Sequence, residues 1–350
     1  MHSGKRIILF GAGVAGQLAL HYYGAERVTC FADNNKHGQK LYGKDVISFD
    51  ELIIIHDQYD VVISANYAVA EVLKKQCFDQ CIPAISWGEI VTWRDYESNP
   101  EIRKFQNYHV GRRCFLIGNG PSLCTEDLDK LPAGNEISFA CNRIYKIFSK
   151  TNWRPDYYFA ADAALIQLYH KEIAGLDIEN KFISNPAQIM YDDSRIITDV
   201  FEHGLGVVHY FNKIIAYSKE NGIPFSEDPS KALHITNTVM YPMLQMAVYM
   251  GFSEIYLLGV DHTFPAMEDI NAYNINGTHF YAEEPEENKK FVALHGAVDY
   301  EIAERLLNID YMVAEEHCRK LGIRVFNATR GGRLEIFKRV DFNTLFSEHN

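Results

Sequence analysis

The segment Cys114-Phe-Leu-Ile-Gly-Asn-Gly-Pro-Ser-Leu123 places the tightest constraint on the fold of this chain. An apolar run stops abruptly at Gly118, Asn119 and Gly120. Pro121, Ser122 and an acidic amphipathic stretch to Leu131 follow. The pattern predicts a buried strand, a tight glycine turn and a helix start. Glycine permits positive φ and close backbone approach. Proline suits the first helical turn, where a missing N–H costs nothing. The free N–H groups and dipole of a helix start favour a phosphate. The centre of the chain therefore reads as built for a phosphorylated ligand.

A second glycine turn lies near the start. Lys5 to Phe10 is apolar, and Gly11-Ala-Gly13-Val-Ala-Gly16 completes a GxGxxG spacing. Asp33 ends a second strand pattern, Val28 to Ala32, near the distance at which an acidic residue meets a ribose hydroxyl. The competing reading is a turn kept for packing alone. That reading is preferred, because the half after Asp33 is too short for a full dinucleotide fold.

Alternation of short apolar runs with amphipathic stretches predicts an α/β protein with two Rossmann-like domains and mostly parallel, doubly wound sheets. The first domain spans 1–88, with strands near 5–10, 28–32, 60–65 and 83–86 and helices near 14–23 and 67–77. A linker spans 89–112. The second domain spans 113–342. Its strands are expected near 113–117, 136–140, 156–160, 181–184, 207–210, 254–258 and 323–326. Its helices are expected near 122–130, 164–173, 212–221, 237–250 and 298–320. The polar stretch 266–292, with Glu283, Glu284, Glu286 and Glu287, reads as a long loop able to act as a lid.

With 34 Lys plus Arg against 46 Asp plus Glu, the net charge is −12. Such a chain does not favour nonspecific binding to nucleic acid or an anionic membrane. Local donors must hold any anionic ligand. The cysteine number, 7, is odd, and Cys77 and Cys81 lack a second pair to complete a zinc site. Free thiols in a reducing cytoplasm are expected. The chain opens directly into a strand, with neither a signal peptide nor a transmembrane run. A soluble, cytoplasmic protein is the expectation.

Ligands of open α/β sheets bind beyond the C-terminal strand ends. The polar residues there are Gly118, Asn119, Gly120 and Ser122, then Cys141, Asn142 and Arg143, then Asp162, then Gly259, Asp261 and His262. Thr236 and Asn237 precede an apolar helix and serve equally well as caps or as ligand contacts. Histidine alone has an ordinary pKa suited to a base near neutral pH. His295, His262 and His279 compete for that role.

In this order, Gly118-Asn-Gly-Pro-Ser122, Cys141-Asn-Arg-Ile-Tyr145, Ile235-Thr-Asn-Thr238 and Glu254-Ile-Tyr-Leu-Leu-Gly-Val-Asp261 resemble the motifs of compact bacterial sialyltransferases that use CMP-sialic acid. They also resemble the wider 6-hydroxymethylpterin pyrophosphokinase-like (MptE-like) family, which includes motility accessory proteins. The closing Asn327-Ala-Thr-Arg-Gly-Gly332 fits that wider family, and the resemblance covers 112–340. It implies a nucleotide cradle in which Asn119, Ser122 and Asn142 meet the nucleotide. It also implies that His295, after the lid, is the general base, with Tyr273 and Tyr281 as candidates to assist the leaving phosphate. One departure stands out: Asp162 occupies the place of an asparagine. A carboxylate beside phosphates is repulsive unless a metal intervenes.

The leading expectation is a glycosyltransferase that uses a nucleotide-activated, CMP-linked sugar in surface-polysaccharide or glycoconjugate synthesis. It needs no cofactor. Its partners are a nucleotide-sugar donor and a glycan or lipid-linked acceptor, and self-association is left open. The first alternative is pyrophosphoryl transfer from ATP to a hydroxymethylpterin, with Mg2+ held by Asp162 and Asp261. A non-enzymatic nucleotide-binding protein and an oxidoreductase built on the first glycine turn are the others.

Overall fold

The computed structural model describes residues 4–346 except 190–193, 217–221, 237, 264–278, 282–283, 285, 288 and 291–299. Its first sheet contains β1 (Ile7–Phe10), β2 (Val28–Ala32), β3 (Lys40–Leu41), β4 (Lys44–Ile47), β5 (Asp60–Ile63) and β6 (Ala84–Ser86). The order is β3-β4-β2-β1-β5-β6, and β3–β4 is the antiparallel pair. β1 is buried throughout, as expected for a parallel strand covered on both faces. Sequence reading missed β3, β4 and the helix Phe49–Ile55. The helix carried a signal: Ser48 and Glu51 cap each other reciprocally.

The first glycine turn connects β1 to the helix Val14–Tyr23. A Cβ on Gly11 would press on the Ser64 carbonyl, so close strand packing explains this glycine. Asp33 is occupied locally. Its carboxylate accepts from Ala12 N–H at 2.9 Å and from the Asn35 and Lys36 N–H groups at 2.9 and 3.1 Å. Both oxygens thus hold the chain's own turns, which accords with the packing reading.

The second sheet contains β7 (Arg113–Ile117), β8 (Ile137–Cys141), β9 (Tyr157–Ala160), β10 (Asn180–Ser184), β11 (Val207–Phe211), β14 (Glu254–Leu258), β15 (Arg324–Asn327) and β16 (Lys338–Arg339). Its order is β11-β10-β9-β8-β7-β14-β15-β16, and every pairing is parallel. The chain steps outward from β7 to β11, then returns to the other side of β7. The crevice between β7 and β14 is therefore the topological switch point. Side chains alternate between two apolar layers. Cys114 and Leu116 enter the layer with Phe139, Phe159 and Tyr241, while Phe115 and Ile117 enter the layer with Tyr158 and Ile183. Each such side chain contributes about 1.5–3 kcal/mol through burial. Mixed α/β architecture with large, mostly parallel, helix-flanked sheets is thus observed.

Two local expectations need correction. Pro121 and Ser122 form a turn, and the expected helix 122–130 is two four-residue helices, Thr125–Leu128 and Lys130–Ala133. Pro132 lies within the second and supplies no N–H to extend a longer helix. The expected helix 212–221 instead begins as β12 (Lys213–Ile214), paired with β13 (Leu233–His234). A distant partner, unreadable from local pattern, decides that conformation. The stretch 89–112 carries the short helices Trp93–Asp95 and Pro100–Arg103 and is bonded to later segments. Asn99 N–H bonds to Ser230 at 2.7 Å, and His109 N–H to Met250 at 2.8 Å. Ile7, Leu9, Leu18 and Trp87 also share an apolar cluster with Ile214, Ala216 and Ala232, which joins the first sheet to the β12–β13 pair. The helix Ser194–Glu202 was not anticipated.

All seven cysteines are free thiols. Among the described residues, no helix is long and apolar enough to cross a membrane.

The turn after β7 is tied to the loop before β16 through one ion pair. Buried Asp127 accepts from Arg330 Nε and Nη2, both at 2.7 Å. Burial pushes the Asp127 pKa up, but the hydrogen bonds from Arg330 and Cys124 and the charges of Arg330 and Lys130 together bring it below the ordinary value. A depressed carboxylate pKa stabilises the fold above the unfolded-state pKa, and that contribution is lost as pH falls through the folded-state value. Arg330→Ala should lower apparent stability by about 1–3 kcal/mol near neutral pH. The deficit should shrink in acid, as urea titrations across pH would show.

Candidate functional site at the switch point

Two turns meet at the crevice. Asn119, Gly120 and Ser122 follow β7, and Gly259 and Asp261 follow β14. Asp261 is the wedge between them. It is buried, and its Oδ2 accepts from Ser122 Oγ at 2.7 Å and from Ser122 N–H at 3.4 Å. A Cβ on Gly120 would overlap this carboxylate, and one on Gly332 would lie 2.6 Å from the Asp261 carbonyl oxygen. That carbonyl accepts from Arg333 N–H at 2.8 Å. Burial raises the Asp261 pKa, and the Ser122 hydrogen bonds oppose the rise.

The expected phosphate cradle is therefore not an open ring of N–H groups. Gly118 N–H donates to Leu258 and Gly120 N–H to Gly259, each at 2.8 Å. Neither glycine takes positive φ, whereas Gly259 does, at 68°. Close approach to the Asp261 loop is what requires Gly120.

Asn119 and Asn142 lie at the ends of neighbouring strands. Asn119 Nδ2 donates to the Cys141 carbonyl at 3.1 Å. Asn142 has φ 53°, a left-handed conformation that asparagine tolerates better than most residues. Its N–H donates to Phe159 at 3.0 Å, and its carbonyl accepts from the Tyr158 hydroxyl at 2.6 Å. The Oδ1 atoms of both asparagines are buried without a partner among the described residues. Such acceptors are costly unless a donor arrives, and ligand N–H or O–H groups can supply one.

Asp162 caps the helix Ala163–Ala174 by accepting from Leu165 N–H at 2.8 Å. Behind it, Lys213 is fully buried and its Nζ donates to the Ala161 carbonyl at 3.1 Å. Burial pushes the Lys213 pKa down to about 8, while Asp162 pulls it up. Lys213 and Asp162 thus interact electrostatically. Asp162 and Asp261 follow β9 and β14, with β8 and β7 between. Three interstrand steps of about 4.8 Å separate these strand ends by on the order of 14 Å. Magnesium–oxygen bonds are about 2.1 Å, so the pair does not fit one shared ion. Among the described residues, no group of three or more His, Cys, Asp or Glu is arranged to hold a metal.

Thr236 Oγ1 accepts from Thr238 N–H at 3.2 Å, so it closes a local turn. It also bonds to buried Asp310 of the helix Tyr300–Lys320, whose pKa burial drives up to about 7. Asn237, Tyr273 and His295 lie outside the described residues. His262 bonds to Asn308 Oδ1 at 3.0 Å and meets Tyr311 edge-on, so it is turned toward that helix. His279 stacks on Tyr281, and the next residue, Phe280, donates its N–H to the Asn119 carbonyl at 2.9 Å. Burial, then Arg143 and Lys146, lower the His279 pKa to about 4.

Sequence reading left Arg143 outside the chosen site and missed Lys146, Tyr169, Lys213 and Asp310. Arg143 and Lys146 had a readable signal: two cations three residues apart, directly after a strand. Lys213 and Asp310 had none, because their burial depends on distant segments.

Fold and site define a Rossmann-like α/β protein with polar strand ends gathered around the switch point of its larger parallel sheet. Residues 91–266 match the family model described as 6-hydroxymethylpterin diphosphokinase MptE-like, and the chain belongs to this family. The match runs from before β7 to beyond β14, across both sides of the crevice. No curated protein matches the chain. Among solved structures, it is similar to the MAf glycosyltransferase from Magnetospirillum magneticum AMB-1, with 16% identity and a TM-score of 0.42 over 99% of this chain and 59% of that one.

Asp310 gives a test of the electrostatics. Its raised pKa means the folded state holds a proton that the unfolded state releases between its ordinary pKa and about pH 7. Asp310 therefore makes stability fall as pH rises through that window. Asp310→Asn should remove this fall, leaving the variant on the order of 2 kcal/mol better off relative to the parent at pH 8 than at pH 5. Denaturant titrations at the two pH values read the difference.

Proposed function

We propose that this protein is a transferase that moves a sugar from a nucleotide-activated, CMP-linked donor to a glycan or lipid-linked acceptor. The observation that carries the reading is the pair of unpartnered, buried Oδ1 atoms of Asn119 and Asn142 at adjacent strand ends beside the switch point. They suit the hydroxyl and amine donors of a nucleotide. In the reaction, the acceptor oxygen attacks the anomeric carbon, and the bond from that carbon to the phosphate oxygen breaks. The electron pair leaves with the nucleotide phosphate, and the acceptor proton passes to a histidine.

We assign that proton to His295, from its place after the 266–292 segment. His279 is the weaker base, because a pKa near 4 leaves little affinity for a proton at neutral pH. His295→Ala should cut turnover by about 10²–10⁴-fold with donor binding nearly unchanged. The rate should fall below about pH 6.5, the ordinary imidazole value. A fall only near pH 4, together with loss of turnover in His279→Gln, would move the role to His279.

The second reading is magnesium-dependent pyrophosphoryl transfer from ATP, which the family description favours. The placement of Asp162, with a helix to cap and Lys213 behind it, favours the first. A thermal-shift screen with CMP, CTP, UDP, ATP and NAD, with and without magnesium, separates them. Stabilisation by a cytidine nucleotide without metal is expected. Stabilisation by ATP alone, and only with magnesium, would decide for the second reading. Asn142→Ala should weaken nucleotide binding by about 1–3 kcal/mol. Asp162→Asn should keep the fold and much of the activity, because asparagine caps a helix as well as aspartate does.

A further inference from the structure

Beyond β8 lies a cationic pocket that already holds an anion of the protein itself. Arg143 is buried, with 6% exposure, and its guanidinium lies 4.1 Å over the Tyr169 ring. Tyr281 covers its other side, with Arg143 5.7 Å and Lys146 4.8 Å from the ring centre. Glu287 enters this frame, its Oε2 lying 2.9 Å from Arg143 Nη2 and 3.8 Å from Lys146 Nζ. Glu287 comes from the polar segment beyond β14, so among the described residues both cations at this strand end pair with a carboxylate from a distant loop. The Phe280 N–H bond to the Asn119 carbonyl ties that segment to the glycine turn.

A buried guanidinium needs a counter-charge, because an uncompensated buried cation is strongly destabilising. The compensating group need not be Glu287. Any phosphate or carboxylate that enters between Tyr169 and Tyr281 meets the same donors, and arginine presents a planar fork suited to both. The chain as a whole is net negative, so these two cations supply the local attraction that overall charge does not.

We propose that Arg143 and Lys146 are the anion-recognition pair of the site and that Glu287 is a tethered internal competitor, displaced when the ligand's phosphate binds. This deepens the nucleotide reading and rests on it for the identity of the ligand. Two ligands that exclude one another are coupled, and removing one raises the affinity of the other.

The test uses the full chain and isothermal titration with CMP, inorganic pyrophosphate and cytidine, which lacks the anion. Glu287→Gln should tighten CMP and pyrophosphate by about 5–150-fold, the usual span of such coupling. It should leave cytidine unchanged. Arg143→Lys should weaken both anions by about tenfold or more, since a charge-assisted planar contact is lost. Lys146→Gln, at a half-exposed position that does not threaten the fold, should weaken them less. Equal anion affinity in all variants, or weaker binding in Glu287→Gln, would overturn the proposal. So would equal tightening of cytidine, since that would mean Glu287 only hinders access. If pyrophosphate follows the pattern but CMP does not bind, the anion pair stands and the nucleotide reading fails. If CMP binds equally in every variant, the nucleotide reading stands and the anion pair fails. If no variant binds either anion, both fail.

Discussion

The contact between the Asp261 carboxylate and Ser122 holds the centre of this molecule together. It joins the two strands that flank the switch point, β7 and β14, just beyond their last ladder hydrogen bonds. Glycine at 120 and at 332 lets the surrounding loops close on it. A side chain at either position would push the turns apart and open the crevice. The same contact consumes donors that an open glycine turn would offer to a phosphate. The turn is thereby a closed floor, and polar groups left without protein partners among the described residues lie farther along the strand ends.

The strand-end side chains differ in charge. Asn119 and Asn142 bring neutral acceptors. Arg143 and Lys146 bring positive charge to one side, where aromatic rings and Glu287 hold it. Asp162 caps its helix, and buried Lys213 interacts with it electrostatically. In a chain of net charge −12, an anion can be attracted only where cations are concentrated locally. The geometry concentrates them at one point, and the carboxylates of Asp162 and Asp261 are each occupied by protein groups.

The first sheet is built on the same plan to a different end. Its glycine turn has the spacing of a ligand loop, yet Gly11 is explained by the Ser64 carbonyl and Asp33 by three backbone N–H groups. One sequence pattern thus serves close packing in one sheet and lines a crevice in the other. What differs is the company each turn keeps across the strand ends.

By itself, the sequence determined the alternation of strands and helices, because period and apolar content act locally. The strands from β7 to β11, and β14 and β15, lie where the apolar runs put them. It also marked Asn119, Asn142 and Asp261 as strand-end polar residues. Tertiary structure alone decided what those residues touch. The cap that Asp162 makes is local, but its interaction with Lys213 depends on β12, whose pairing with β13 spans residues distant in sequence. The conformation of 213–214, the burial of Lys213 and Asp310, and the union of Arg143 with Glu287 have the same origin. Local propensity is a property of neighbouring residues, but burial and charge pairing depend on which distant segments the sheet order brings together.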